Sequence, residues 1–169
     1  MDFLSLARAR YSCRAYRPES VDDAALARAL EAMRMAPSAC NRQPYHLYVL
    51  ETAKYREQLS GVYRHEWFVQ APLVVAMVAL LDRSWCHRDG KNLGLIDAAI
   101  AFEHLLLAAA AEGLGSCWVA AFHRPNATQL LRLTGNAEIL AFSPLGYPAD
   151  EAPPKQRERL DQLVTFGLP

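Results

Sequence analysis

The stretch Leu93-Gly-Leu-Ile-Asp-Ala-Ala-Ile-Ala-Phe-Glu-His-Leu-Leu-Leu-Ala-Ala-Ala-Ala-Glu112 decides the fold. It is long enough for one extended helix and is apolar nearly all round. Leu95, Ile96, Ile100, Phe102, Leu105, Leu106 and Leu107 leave no polar face, and alanines fill 101 and 108–111. A helix of that kind has to be covered on every side. His104, seven residues after Asp97, therefore reads as a buried, hydrogen-bonded side chain and not as a base. The chain has 169 residues, so a second subunit is a natural source of the missing cover. Gly113-Leu-Gly115 stops the helix.

Working outward, Phe3–Arg10 reads as a short helix with Asp2 as its cap. Ser20 and Asp23 resemble a capping box that opens a second helix. Leu26, Leu30 and Met33 share one face of it, and Pro37 ends it. Tyr45–Leu50 has strand composition, Thr52–Tyr63 reads as an exposed helix, and Pro72–Leu81 as a strand buried on both faces. Residues 82–92 form a loop. Beyond the long helix, Ser116–Phe122 reads as a strand, Ala127–Leu133 as a short helix and Ile139–Gly146 as the last strand. Helices and strands mix without strict alternation, which favours a layered α+β domain over a doubly wound one. The length fits one domain spanning 1–169. Residues 150–169, with Pro153-Pro154, leave its body as a C-terminal arm.

Composition excludes several classes. Lys and Arg total 18 against 18 Asp and Glu, so the net basic face of a general nucleic-acid binder is missing. The apolar run Ala71–Leu81 is shorter than the roughly 20 residues that span a bilayer. The N-terminus has no basic start followed by an apolar run, so no targeting segment is expected. Cys13, Cys40, Cys86 and Cys117 are widely spaced and form no CxxC pair, which fits a reducing cytoplasm and no metal site. Gly113-Leu-Gly115 lacks the third glycine of a dinucleotide fingerprint.

Three polar segments stand out. Arg10-Tyr-Ser-Cys-Arg14 sets two guanidiniums one helical turn apart with Tyr11 and Ser12 between them, a pattern suited to clamping a phosphate. Lys155-Gln-Arg157 alternates, so both cations share one side of an extended segment. Pro37-Ser-Ala-Cys-Asn-Arg-Gln-Pro44 is a turn fixed by two prolines, in which Ser38, Asn41 and Gln43 offer donors and acceptors to the edge of a planar ring. Each segment also has a bland reading: solvated arginines, a solvated tail and a helix-stop loop. Gly115-Ser-Cys-Trp-Val-Ala-Ala-Phe122 has no charged side chain; the small residues Ala120 and Ala121 would let peptide N–H groups approach a ring.

Together, and in the order they take along the chain, these segments resemble the FMN-dependent nitroreductase family in its short bacterial form. Asp89-Gly-Lys91, Ile96-Asp-Ala-Ala-Ile100, Gly113-Leu-Gly-Ser-Cys-Trp118 and Gly146-Tyr-Pro148 belong to the same ordered set. The resemblance implies a nitroreductase-like fold, with a central, mostly antiparallel mixed sheet flanked by helices, in an intertwined homodimer with FMN at the subunit interface. It implies that Arg10, Ser12, Arg14, Lys155 and Arg157 hold the phosphate and ribityl end. Pro37, Ser38, Ala39 and Asn41 would line the ring from the other subunit, and Ala120 and Ala121 would offer N–H groups near N5. NADH or NADPH would reduce the flavin, and nitroaromatics, quinones or other acceptors would be reduced in a ping-pong cycle. No side chain is implied as a general acid or base. Longer members often carry a lysine before the second strand; here the neighbourhood reads Tyr63-Arg-His-Glu-Trp67, with Arg64 the candidate. The substrate-shaping helical insertion of larger members is missing, and the Trp85–Lys91 loop stands in its place. Flavin chemistry of another kind, such as enone reduction or flavin breakdown, and a non-enzymatic FMN-binding module remain alternatives.

Overall fold

The computed structural model describes residues 1–168. Helix α1 (Phe3–Ala9) is capped by Asp2, whose carboxylate accepts the Ser5 N–H at 3.0 Å. Helix α2 (Asp23–Arg34) is capped by Asp22, which accepts the Ala25 N–H at 2.9 Å. The expected box at Ser20 and Asp23 is therefore displaced. Ser20 lies too far ahead of the first turn for its oxygen to reach the free N–H groups there.

Strand β1 (Tyr45–Glu51), helix α3 (Thr52–Val62) and strand β2 (Leu73–Leu80) fall within a residue of the expected bounds, but α3 is not the exposed helix expected: Thr52, Leu59 and Val62 are buried because one face of it packs on the sheet. Helix α4 runs Gly94–Ala111. The strand expected over 116–122 shrinks to β3 (Gly115–Ser116) and one bridge between Val119 and Phe142. Two tertiary contacts explain this. The Cys117 N–H donates to Ser143 Oγ at 3.0 Å instead of a ladder carbonyl, and the Trp118 ring turns onto Phe102 at 4.9 Å. Helix α5 (Arg124–Leu131) starts earlier than expected because His123 caps it and Pro125 fits its first turn. Strand β4 (Ala137–Gly146) and the short helix α6 (Leu160–Leu163) complete the chain.

The sheet order is β1-β2-β4-β3, with every neighbouring pair antiparallel. A parallel element enters where Ser12 bridges Ser116, so the N-terminal segment lies beside β3. Strand β2 is central, and its alternation serves both faces. Val75, Met77 and Ala79 pack under α2 and α4, against Ala25, Ala29, Ala101, Phe102 and Leu105. Val74, Ala76 and Val78 join Leu59, Val62, Phe68, Ala127 and Leu131 on the other face. This is a helix–sheet–helix sandwich, in which a fully buried strand reads as a continuous apolar run.

Helix α4 is long and apolar enough to cross a membrane by length and composition, yet Ala98, Ala101, Phe102, Leu105 and Ala109 are fully buried in the domain. Its outer stripe is not covered by the described residues: Ile96 is 46% exposed. His104 lies on that stripe, two turns from Ile96, and is exposed, with Nδ1 2.8 Å from the Ile100 carbonyl oxygen. The expectation of a buried histidine fails because it assumed cover on all sides. Helix α1 and helix α6 likewise bury no residue.

Close packing joins β3 to the N-terminal segment. A Cβ added at Gly115 would stand 2.7 Å from Cys13 Sγ and 2.9 Å from Cys13 Cβ. Replacing Gly115 with alanine should cost about 1–3 kcal/mol through overpacking. Equilibrium urea denaturation checks this, and an unchanged midpoint would contradict the contact.

Candidate functional site

The two ends of the chain meet beside β3. Cys13 donates its N–H to the Ser116 carbonyl at 3.0 Å, Arg17 to Tyr147 at 2.9 Å, and Ala149 returns the favour to Ala15 at 2.9 Å. Asp150 locks the junction. Its carboxylate accepts the Tyr11 hydroxyl at 2.8 Å, the Cys13 thiol at 3.1 Å and the Arg14 N–H at 3.1 Å. Burial would raise the Asp150 carboxyl, but these three bonds outweigh it and hold it below the usual carboxylate range. The same network pushes the Cys13 thiol up to about 11, through burial first and Asp150 second. Burial likewise raises Cys117, against the pull of Arg14, Ser12 and Arg10. Both thiols are thus kept protonated at neutral pH, and neither is a nucleophile.

This junction gathers cations. Arg10 lies 3.9 Å from Glu103 of α4, and Lys155 Nζ donates to the Ala7 carbonyl at the end of α1 at 2.7 Å. Lys155 is held below its usual range by desolvation, then by repulsion from Arg10 and Arg157, with Glu103 opposing. Arg14 stacks over Trp67, 5.8 Å from the ring centroid. Ser12 and Ser116 face each other across the parallel bridge, and the buried Ser116 hydroxyl has no hydrogen-bond partner among the described residues. A positive cluster flanked by the Glu103 and Asp150 carboxylates is a candidate site for an anion carrying more than one negative charge.

The proline-flanked turn is anchored elsewhere. Cys40, Asn41 and Gln43 all have left-handed backbone, with φ of 51°, 52° and 47°. The Gln43 N–H donates to Ser38 Oγ at 2.9 Å, and the Gln43 amide to Asn41 Oδ1 at 2.9 Å. Ala39 donates its N–H to Asp97 at 2.9 Å, in the first turn of α4. Pro37, Cys40, Asn41 and Gln43 are exposed. Asp97 and Glu103 are six residues apart, which is about 9 Å along the helix and about 240° around it. Within one protomer the turn and the cation cluster therefore lie on different sides of α4.

Ala120 and Ala121 are exposed and leave the ladder just after the Val119 bridge. Among the described residues neither N–H meets a backbone carbonyl. Arg64 is exposed and lines an open cleft of about 520 Å³ with Arg56, Tyr63 and His65. Tyr63 also packs edge-on against Trp67, which ties that cleft to the ring under Arg14. Residues 86–92 form a small hairpin closed by a bridge between Cys86 and Asn92, and Arg42 reaches its base at Ser84. Sequence reasoning missed Asp150, Trp67 and the anchoring role of Asp97. A signal existed for Asp97, a carboxylate inside an apolar helix.

The family model "Nitroreductase family" matches residues 7–64 and 51–147. A nitroreductase family protein of Clostridium difficile 630 has the same fold at a TM-score of 0.92 and 31% identity, with 99% of both chains covered. A protein of Desulfovibrio desulfuricans solved in complex with FMN aligns at a TM-score of 0.83 and 25% identity, covering 98% of this chain and 97% of that one. A protein named NADH dehydrogenase from Thermus thermophilus is 28% identical over 197 residues, 98% of this chain and 96% of its own. The chain belongs to the nitroreductase family.

The lowered pKa of Asp150 fixes a pH dependence. In the unfolded chain an aspartate titrates near about 3.9. A folded value below that makes the contribution complete above the unfolded value and lost as pH falls through the folded one. Asp150→Ala should therefore be less stable than the wild type at neutral pH, with the gap narrowing below about pH 4. Urea midpoints recorded from about pH 3 to about pH 7 check this; a gap independent of pH would rule out the carboxylate tie.

Proposed function

We propose that this chain is an FMN-dependent oxidoreductase that works as a homodimer. It takes a hydride from NADH or NADPH and reduces nitroaromatic, quinone or related acceptors in a ping-pong cycle. The observation that carries this reading is the cation cluster at the junction of the chain ends, where Arg10, Arg14, Lys155 and Arg157 outnumber the Glu103 and Asp150 carboxylates. Desolvation first, and then repulsion from Arg10 and Arg157, hold Lys155 below its usual range, so a phosphate dianion would relieve the repulsive part. The donor set fits a phosphorylated ring cofactor: guanidiniums for bidentate bonds, Ser12 beside them for the ribityl chain, and the free N–H groups of Ala120 and Ala121 for the ring.

When bound, the flavin supplies the hydride chemistry. The chain's residues position and tune it. Arg10, Arg14, Lys155 and Arg157 hold the phosphate, with Tyr11 fixing the segment through Asp150. Ala120 and Ala121 donate toward N5 and the adjacent carbonyl. Pro37, Ser38, Ala39, Asn41 and Gln43 line the ring from the partner subunit, since one chain keeps this turn away from its own cations. Arg64 adds a cation that favours the reduced, anionic ring. A pairing of protomers also accounts for the exposed Phe3, Leu4, Ile96, Leu160 and Leu163, at 72%, 56%, 46%, 71% and 65%. The exposed free thiols of Cys40 and Cys86 suit a reducing cytoplasm.

A yellow preparation whose flavin is bleached anaerobically by either nicotinamide, and restored by nitrofurazone or menadione, is the expected result. A preparation that stays colourless after FMN addition would end this reading. Arg14→Ala should weaken FMN binding by about 1.5–3 kcal/mol, the worth of a charge-assisted hydrogen bond. Fluorescence titration of the apoprotein checks that; unchanged affinity removes Arg14 from the site.

A further inference from the structure

Asp97 is a buried carboxylate in a mostly apolar helix, and the proposed flavin chemistry gives it no task beyond anchoring Ala39. It is 3% exposed. Oδ1 accepts the Ala39 N–H at 2.9 Å, while Oδ2 is buried without a hydrogen-bond partner among the described residues. The buried Tyr45 hydroxyl is in the same condition. Burial, and then the charge of Asp97, push the Tyr45 phenol up. A buried carboxylate with so few partners is costly, and an apolar residue would fill the position more cheaply. Core packing does not account for an aspartate here.

The turn that Asp97 holds does. Cys40, Asn41 and Gln43 sit in a backbone region that is unfavourable for residues with a Cβ. All three are exposed, so little burial offsets that strain. The bonds from Gln43 to Ser38 and Asn41 close the turn on itself without fixing it to the body. The bond from Ala39 to Asp97 fixes its first residue to the helix layer. Strain kept in an exposed polar turn by a buried charge is the pattern of a preorganised ligand contact.

We propose that Asp97 is a positioning residue: through Ala39 it holds the turn 39–43 in the left-handed shape that meets the flavin ring of the partner's site. This rests on the FMN reading above. It assigns Asp97 no contact with the flavin and no proton transfer. Its effect is on how the turn discriminates oxidised from reduced ring.

Two variants remove the bond from opposite sides. Asp97→Ala deletes the acceptor. Ala39→Pro deletes the N–H alone; Ser38 is extended, with ψ of 157°, which suits the residue before a proline. In the holoprotein both should change the ratio of oxidised- to reduced-FMN affinity at least threefold, read from the midpoint potential. In the apoprotein both should speed amide exchange across 39–43 at least tenfold. Asp97→Asn keeps an acceptor and should restore both readings toward wild type. A lowered melting temperature with an unchanged potential in both variants would overturn the proposal, as would unchanged exchange at 39–43. If Asp97→Ala fails to fold, Ala39→Pro carries the same decision. A wild-type protein that binds no FMN would sink the FMN reading, and with it the ring contact. Exchange in the apoprotein would still decide whether Asp97 anchors the turn.

Discussion

The carboxylate of Asp150 is the tie on which the site depends. It joins Tyr11, Cys13 and Arg14 across sequence separations of 139, 137 and 136 residues. Closing so long a loop costs conformational entropy, and the three bonds form where backbone pairing aligns residues 15–17 with 147–149 and Cys13 with Ser116. The sheet edge supplies the alignment and Asp150 supplies the specificity. Arg10 and Lys155, far apart in the chain, become neighbours at this junction.

Most of the fold was legible because its strongest signals are local. The apolar run of β2 and the all-apolar helix α4 each declare burial through composition alone. What could not be read depends on distant partners. Residues 117–121 have strand composition, but Phe102 and Ser143 draw Trp118 and Cys117 off the ladder. His104 looked buried because the sequence does not say which stripe of α4 lies bare. The site divides in the same way. Its polar segments show as clusters of Arg, Ser, Asn and Gln between elements. Asp150 and Asp97 act partly on backbone N–H groups, which have no sequence signature.

Helix α4 organises the rest. Its inner face packs on the sheet with α2, and Arg28 forks onto Glu112 to pin the far end at 2.7 and 2.6 Å. Its first turn holds the proline-flanked loop through Asp97, and Glu103 stands beside Arg10. On the proposed reading one helix thus carries parts of two half-sites, about 9 Å apart along its axis and about 120° apart around it. A ligand that needs both halves has to be shared between two copies, which on the proposed reading makes dimerisation part of cofactor binding itself.

The crowding of Arg10, Arg157 and Lys155 has a further consequence. Lys155 and Arg157 are exposed and Arg10 is part-buried, so their repulsion is screened by dissolved salt, and so, on the proposed reading, is their attraction for a phosphate. Raising ionic strength therefore pulls two quantities in opposite directions. It relaxes the empty junction while loosening the grip on a phosphate. On the proposed reading, the protein should bind the phosphate most tightly at low ionic strength, where the cations also repel one another most.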